Sequence, residues 1–237
     1  MAIKAVLFDL DGTLLPMDQD LFLKKYFETL AAKLAGYGYL PKRLIGAIMS
    51  GTEHMLKNDG VRMNEEVFWE EFSRAYGKDC RVDEHIFEDY YKREFLTVRD
   101  YLGYTDESAA LIRELKAKGV KLILATNPVF PAIATHTRMG WVGLKPSDFE
   151  LITTYENVGF AKPNPDYYRD IATRVGLLPE ECVMVGNDTV DDMIAGTVGM
   201  KLFLLTDNLI THGKTDISEY PQGSFSELRS FLSGILR

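Results

Sequence analysis

Cysteine is nearly absent: Cys80 and Cys182 are the only two, far apart and without C-x-x-C spacing. A disulfide framework and a cysteine zinc site are therefore not suggested, and a reducing compartment fits best. Basic clusters are lacking as well. With 27 Lys and Arg against 35 Asp and Glu the formal charge is −8, and no basic run tracks a phosphate backbone, which argues against nucleic acid as a partner. No apolar stretch approaches the ~20 residues of a membrane span, so no membrane partner is expected. The opening apolar run meets Asp9 and Asp11 too early for a secretory leader, and a cytoplasmic location is expected. The four histidines, His54, His85, His136 and His212, show no H-x-x-x-H spacing and are read as surface or core residues. Repeats and low-complexity segments are also missing. What remains is an ordinary globular composition, 46% hydrophobic and 26% charged over 237 residues.

Short, nearly continuous apolar runs occur at "IKAVLF" (3–8), "VKLILAT" (120–126), "LITT" (151–154), "CVMVG" (182–186) and "KLFLL" (201–205). Unbroken apolarity is what parallel strands covered on both faces require. Helical patterns lie between them. "DESAALIRELKAKG" offers Asp106 as N-cap, and "NPDYYRDIATRVG" offers Asn164 as cap, Pro165 at the first helical position and Gly176 as a stop. The alternation predicts an α/β fold with a doubly wound, Rossmann-like parallel sheet. One region breaks the rhythm. From residue 16 to 100 no buried strand is evident, whereas four segments beginning near Asp20, Pro41, Asn64 and Asp83 carry helical spacing. The expected organisation is a core of residues 1–15 and 101–237 with an all-helical cap domain, 16–100, inserted after the first strand.

The stretch "AVLFDLDGTLL" (5–15) drives an apolar run into two aspartates. Two unit charges about 4 Å apart repel by roughly 4 kcal/mol at an effective dielectric near 20. A shared proton, a bound cation or divergence into water would each relieve that cost. Ligands of open parallel sheets bind beyond the carboxyl ends of the strands, and the other strand ends are equally polar. Thr126 and Asn127 follow the second strand, Gly186, Asn187 and Asp188 follow the fourth, and Lys162 precedes the helix at Pro165. Each alone has an ordinary explanation as a turn, a cap or a solvated charge; together they converge on one crevice.

In order, "DLDGT", "LATN", "AKPNPDYY" and "VGNDTVDD" resemble the four motifs of the haloacid dehalogenase-like hydrolases over essentially the whole chain. The insertion at 16–100 resembles the subgroup with a helical cap after the first strand. The resemblance implies a Mg²⁺-dependent phosphatase acting on a small phosphomonoester, a small phosphorylated metabolite, through an aspartyl-phosphate. Asp9 would be the nucleophile and Asp11 the general acid and base. Lys162 would neutralise phosphate charge, while Thr126 and the Asn127 backbone N–H would hold a phosphate oxygen. Metal ligation would involve Asp9, Asp11 and the 187–188 step, since magnesium takes hard oxygen ligands and retains waters. This chain has Asn187 where the family commonly has an acid, so Asn187 and Asp188 both stand as ligands. Asp191 and Asp192 compete to fix Lys162 or metal-bound water, with Asp192 favoured.

A sugar-phosphate mutase of the same superfamily would keep every core residue and differ in the cap, and a non-catalytic phosphate-binding or signalling protein would keep the motifs without turnover. A receiver domain spreads its acids differently and needs about half this length, and a dehalogenase or phosphonate hydrolase would not need Asp11. In the cap, Phe68, Trp69 and Phe72 are expected in the core. Lys57, Asn58 and Arg62 are the polar residues that could reach a substrate.

Overall fold

The computed structural model describes residues 2–213 and 215–236. Its centre is a six-stranded, wholly parallel sheet: β1 (Ala5–Phe8), β2 (Lys121–Leu124), β3 (Leu151–Ile152), β4 (Cys182–Gly186), β5 (Lys201–Leu205) and β6 (Gln222–Gly223), in the order β3-β2-β1-β4-β5-β6. Successive residues of β1 face opposite sides, and both sides are covered. Val6 and Phe8 join one apolar cluster with Leu122, Leu124 and Val183, while Ala5 and Leu7 join another with Ile123, Cys182 and Met184. That double burial is why the strands read as unbroken apolar runs. Both cysteines are buried and unpaired. Among the described residues no helix is long and apolar enough to cross a membrane.

Residues 19–101 are helical: α1 (Gln19–Ala35), α2 (Pro41–Leu56), α3 (Asn64–Tyr76) and α4 (Glu84–Lys92), followed by a 3₁₀ segment, Glu94–Tyr101. All four helices fall where apolar spacing predicts them. The Asp18 side chain caps α1 by accepting from Leu21 N at 3.0 Å, and left-handed Gly77 stops α3. Beyond this insertion lie α5 (Glu107–Ala117), α6 (Ala132–Trp141), α7 (Pro165–Arg174) and α8 (Phe225–Ile235). Asn164 caps α7 as expected, accepting from Asp166 N at 2.9 Å. Asp106 occupies the N-cap of α5 but makes no capping bond; Thr105 Oγ1 accepts from Glu107 N at 3.1 Å instead.

The inserted helices are not a loose appendage. The apolar cluster on one face of the sheet continues through Phe22, Tyr26, Phe72 and Phe95 of the insertion, and Tyr26 meets Phe130 of the core with ring centroids 5.4 Å apart. The start of α3 is tied to the core by Asn64 N donating to Val158 O and Glu65 N to Tyr155 O. Buried Asn64 Nδ2 also donates to Pro128 O and Phe160 O. The two connecting segments run side by side, with Gly103 N donating to Pro16 O at 3.1 Å.

Candidate active site

The order of chain entry reverses between β1 and β4, and at such a point the loops leaving neighbouring strands diverge and open a crevice. Asp9 leaves β1 there, its N–H donating to Val185 O at 2.9 Å. The chain then turns back sharply, with Gly12 N donating to Leu15 O and Leu15 N to Leu10 O. Gly12 sits at φ +84°, and a Cβ there would run into the Asn187 side chain, so the turn needs glycine twice over.

Lys162 is the hub. Its Nζ donates to Asp9 Oδ1 at 2.8 Å and Asp192 Oδ1 at 2.6 Å, with the side chain 1% exposed. Burial disfavours the ammonium, but Asp192 and Asp9 outweigh it and hold the Lys162 pKa well above its usual value. Burial pushes the Asp9 acid up to about 7, against the pull of Lys162 and with help from Asp192 and Asp11. Burial likewise raises Asp11 and Asp191. Asn127 braces the lysine loop: its Oδ1 accepts from Lys162 N at 3.3 Å and its Nδ2 donates to Asp191 Oδ2 at 3.1 Å. The Thr126 carbonyl accepts from Tyr167 Oη and Thr153 Oγ1, which fixes the end of β2.

The structure brings Asp9, Asp11, Thr126, Asn127, Lys162, Asn187, Asp188, Asp191 and Asp192 onto one small cavity of about 130 Å³. It also sorts the alternatives. Asn187 Oδ1 accepts from Thr13 Oγ1 at 3.0 Å and its Nδ2 donates to Asn208 O at 2.7 Å, so this amide braces two loops, and of the 187–188 pair Asp188 is the anionic donor. Asp192 spends Oδ1 on Lys162 and Oδ2 on Asp188 N at 3.0 Å. That suits the lysine-fixing role.

Two side chains escaped the sequence reading. Arg138, on the unforeseen helix α6, is fully buried and its Nη1 donates to Asp11 Oδ2; nothing in "ATHTRMG" separates it from a solvated cation except its place beside buried Met139 and four residues after buried Ala134. His212, read with the other histidines as a surface or core residue, is half-exposed but sets its Nε2 2.9 Å from Asp188 Oδ2, which raises the imidazole pKa. The cap candidates Lys57 and Arg62 instead face outward, paired with Glu53 and Glu70, and Asn58 Nδ2 donates to Asn64 Oδ1.

Five aspartates and one lysine line the cavity, and Asp11 Oδ1 is buried without a hydrogen-bond partner. Excess negative charge and an orphaned hard oxygen fit a divalent cation. Among the described residues no three His, Cys, Asp or Glu groups form a ready-made cage.

Residues 3–198 match the haloacid dehalogenase-like hydrolase family, and the chain belongs to it. It is 26% identical over 219 residues to a glyceraldehyde 3-phosphate phosphatase of Methanothermobacter thermautotrophicus, covering 87% of each chain. It is 25% identical to a pyrophosphatase PpaX of Bacillus velezensis, covering 84% of this chain and 81% of that one. The fold is shared with a HAD phosphatase from Thermococcus onnurineus at a TM-score of 0.63 and 23% identity, over 99% of this chain and all of that one.

Proposed function

We propose that the chain is a Mg²⁺-dependent phosphatase that hydrolyses small phosphomonoesters through an aspartyl-phosphate on Asp9. The observation that carries this reading is the buried Asp9–Lys162–Asp192 array with Asp11 two residues from the nucleophile. Phosphatases among the family relatives support the reaction class. In the first step an Asp9 carboxylate oxygen attacks phosphorus, the P–O bond to the alcohol breaks, and Asp11 delivers its proton to the departing oxygen. Burial raises Asp11 above the ordinary carboxyl range, which helps it carry that proton. In the second step Asp11 takes a proton from water, the water oxygen attacks phosphorus, and phosphate leaves Asp9.

Lys162 balances charge on the equatorial oxygens, and Asp192 keeps it aimed. Thr126 and the Asn127 N–H hold a phosphate oxygen at the end of β2. Asp9, the Asp11 step and Asp188 would hold the cation, whose chemistry is neutralisation of the transferring phosphoryl group. A mutase needs a second phosphate site in the cap. Among the described residues Lys162 is the only Lys or Arg on the walls of these two cavities, which favours water as the acceptor.

The test is a panel of phosphate esters assayed for released phosphate with Mg²⁺ and with EDTA. Hydrolysis that EDTA abolishes and Mg²⁺ restores is expected. Turnover indifferent to chelation would overturn the metal assignment, and an isomerised ester with little free phosphate would favour a mutase.

A further inference from the structure

A second cavity of about 330 Å³ opens from the catalytic one, between the inserted helices and the core. Leu23, Val129 and Phe130, with the polar Gln19, Asn127, Lys162 and Asp191, line both, so a phosphoryl group at Asp9 has room to project its alcohol into this space. Its walls are rings: Tyr26, Phe27, Phe68, Trp69, Tyr91 and Phe130. Phe68 and Trp69, expected in the core, thus also present faces to the cavity. Polar atoms are few among the rings: Trp69 Nε1 is buried without a partner among the described residues, and Gln19, Asn127 and Asp191 stand at the junction with the catalytic cavity. Tyr26 and Tyr91 hydroxyls bond each other at 3.0 Å, and Thr52 Oγ1 donates to Ile48 O at 3.0 Å. Among the described residues Lys162 is the one basic side chain on the lining, and Asp9 and Asp192 already claim it. At the mouth Met49 and Leu56 remain exposed, adding apolar surface where a substrate would enter.

A polyol placed here would trade water for rings and leave most of its hydroxyls unpaired, and a second phosphate would meet no unclaimed cation on the described walls. A hydrocarbon or aryl group would bury its surface at no such cost, and the volume lies within the range of small-molecule pockets. We infer that this cavity receives the leaving group and selects phosphomonoesters of apolar alcohols about the size of one or two rings over polyol phosphates and diphosphates. The inference rests on the phosphatase reading above.

The test compares kcat/KM for 2-phenylethyl phosphate, glycerol 3-phosphate and inorganic pyrophosphate. The first two both release primary alkoxides, so their ratio reports the pocket more than the chemistry. Burial of one phenyl ring predicts a preference of roughly 30-fold for the phenylethyl ester over glycerol phosphate, about 2 kcal/mol at 1.4 kcal/mol per tenfold. Pyrophosphate should be the poorest of the three. Thr52→Trp, filling the cavity from the part-buried face of α2, should cut the preference about tenfold. Comparable kcat/KM for all three compounds, or preference for a polar one, would overturn the substrate class and leave the phosphatase reading intact. A preference unchanged in Thr52→Trp would overturn the assignment of this cavity. No hydrolysis of any ester would remove the phosphatase reading itself, and this inference with it.

Discussion

Replacing Arg138 with methionine tests the least foreseeable part of the site. The guanidinium is wholly buried, donates to Asp11 Oδ2, and stacks over Phe130 at 4.4 Å and Phe22 at 5.8 Å from the ring centroids. Methionine keeps much of the apolar contact but strands the Asp11 carboxylate. Breaking a buried pair by removing one partner costs about 3–5 kcal/mol, because a charge is left without compensation. For a chain of this length each kcal/mol moves Tm by about 2–4 °C, so a fall of roughly 6–20 °C is expected. The pH dependence identifies the cause. Burial already raises the Asp11 acid while Arg138 pulls it down, so loss of the arginine lifts it further. An acid whose pKa is higher folded than unfolded supports the fold fully below the unfolded value and loses that support as pH rises toward the folded one. The deficit of Arg138→Met should therefore be small near pH 4 and grow toward pH 8. Urea melts of wild type and variant across that range would measure it, with Asp11→Asn/Arg138→Met expected to recover part of the loss. A deficit below about 1 kcal/mol, or one flat with pH, would refute the argument.

Gly12→Ala should cost at least about 1–2 kcal/mol, since φ +84° is unfavourable for a side chain and the new Cβ lies on the Asn187 amide; an unchanged denaturation midpoint would contradict the tight turn. Glu71→Gln probes the packing of α2 on α3. The Glu71 carboxylate is 7% exposed, accepts from Arg74 Nε and Nη2 at 2.7 Å and from Ser50 Oγ at 2.5 Å, and the Arg74 bonds lead in holding its pKa down. Because the folded pKa is depressed, the stabilisation is full above the ordinary value of 4.5 and is lost as pH falls through the folded one. The variant should lose about 1–2 kcal/mol at pH 7 and less at pH 3, by thermal melts at both; equal losses would assign the cost to shape rather than charge.

The sheet was legible because strands such as Val183–Val185, buried on both faces, leave no polar alternation to confuse with a surface segment. The insertion was legible for the opposite reason: Phe22, Tyr26, Leu30 and Leu34 repeat at helical spacing over a long, well-capped run. The two-residue strand β6 carries no pattern at all. Helix α6 hides its buried face behind threonine, histidine and arginine, so its one cation looked solvated. Acids could be found at the strand ends, but the contacts that separate Asn187 from Asp188 and Asp191 from Asp192 could not. Asp191 and Asp192 differ in role only because a Cβ at residue 186 would overlap the Asp192 carboxylate; glycine there lets that carboxylate tuck under the strand end and reach Lys162. Asn187 is turned toward Thr13 and Asn208 by loops distant in sequence.

The central claim is that Asp9 carries the phosphoryl group between the two steps. Acid quenching during turnover of a substrate ester, followed by borohydride reduction and peptide mass spectrometry, tests it directly, because an acyl phosphate is reduced to the alcohol. Homoserine at position 9, absent without substrate and absent in a folded Asp9→Asn variant that no longer turns over, is the predicted result. Substrate-dependent label on another residue, or phosphate release retained within about tenfold in folded Asp9→Asn, would contradict it.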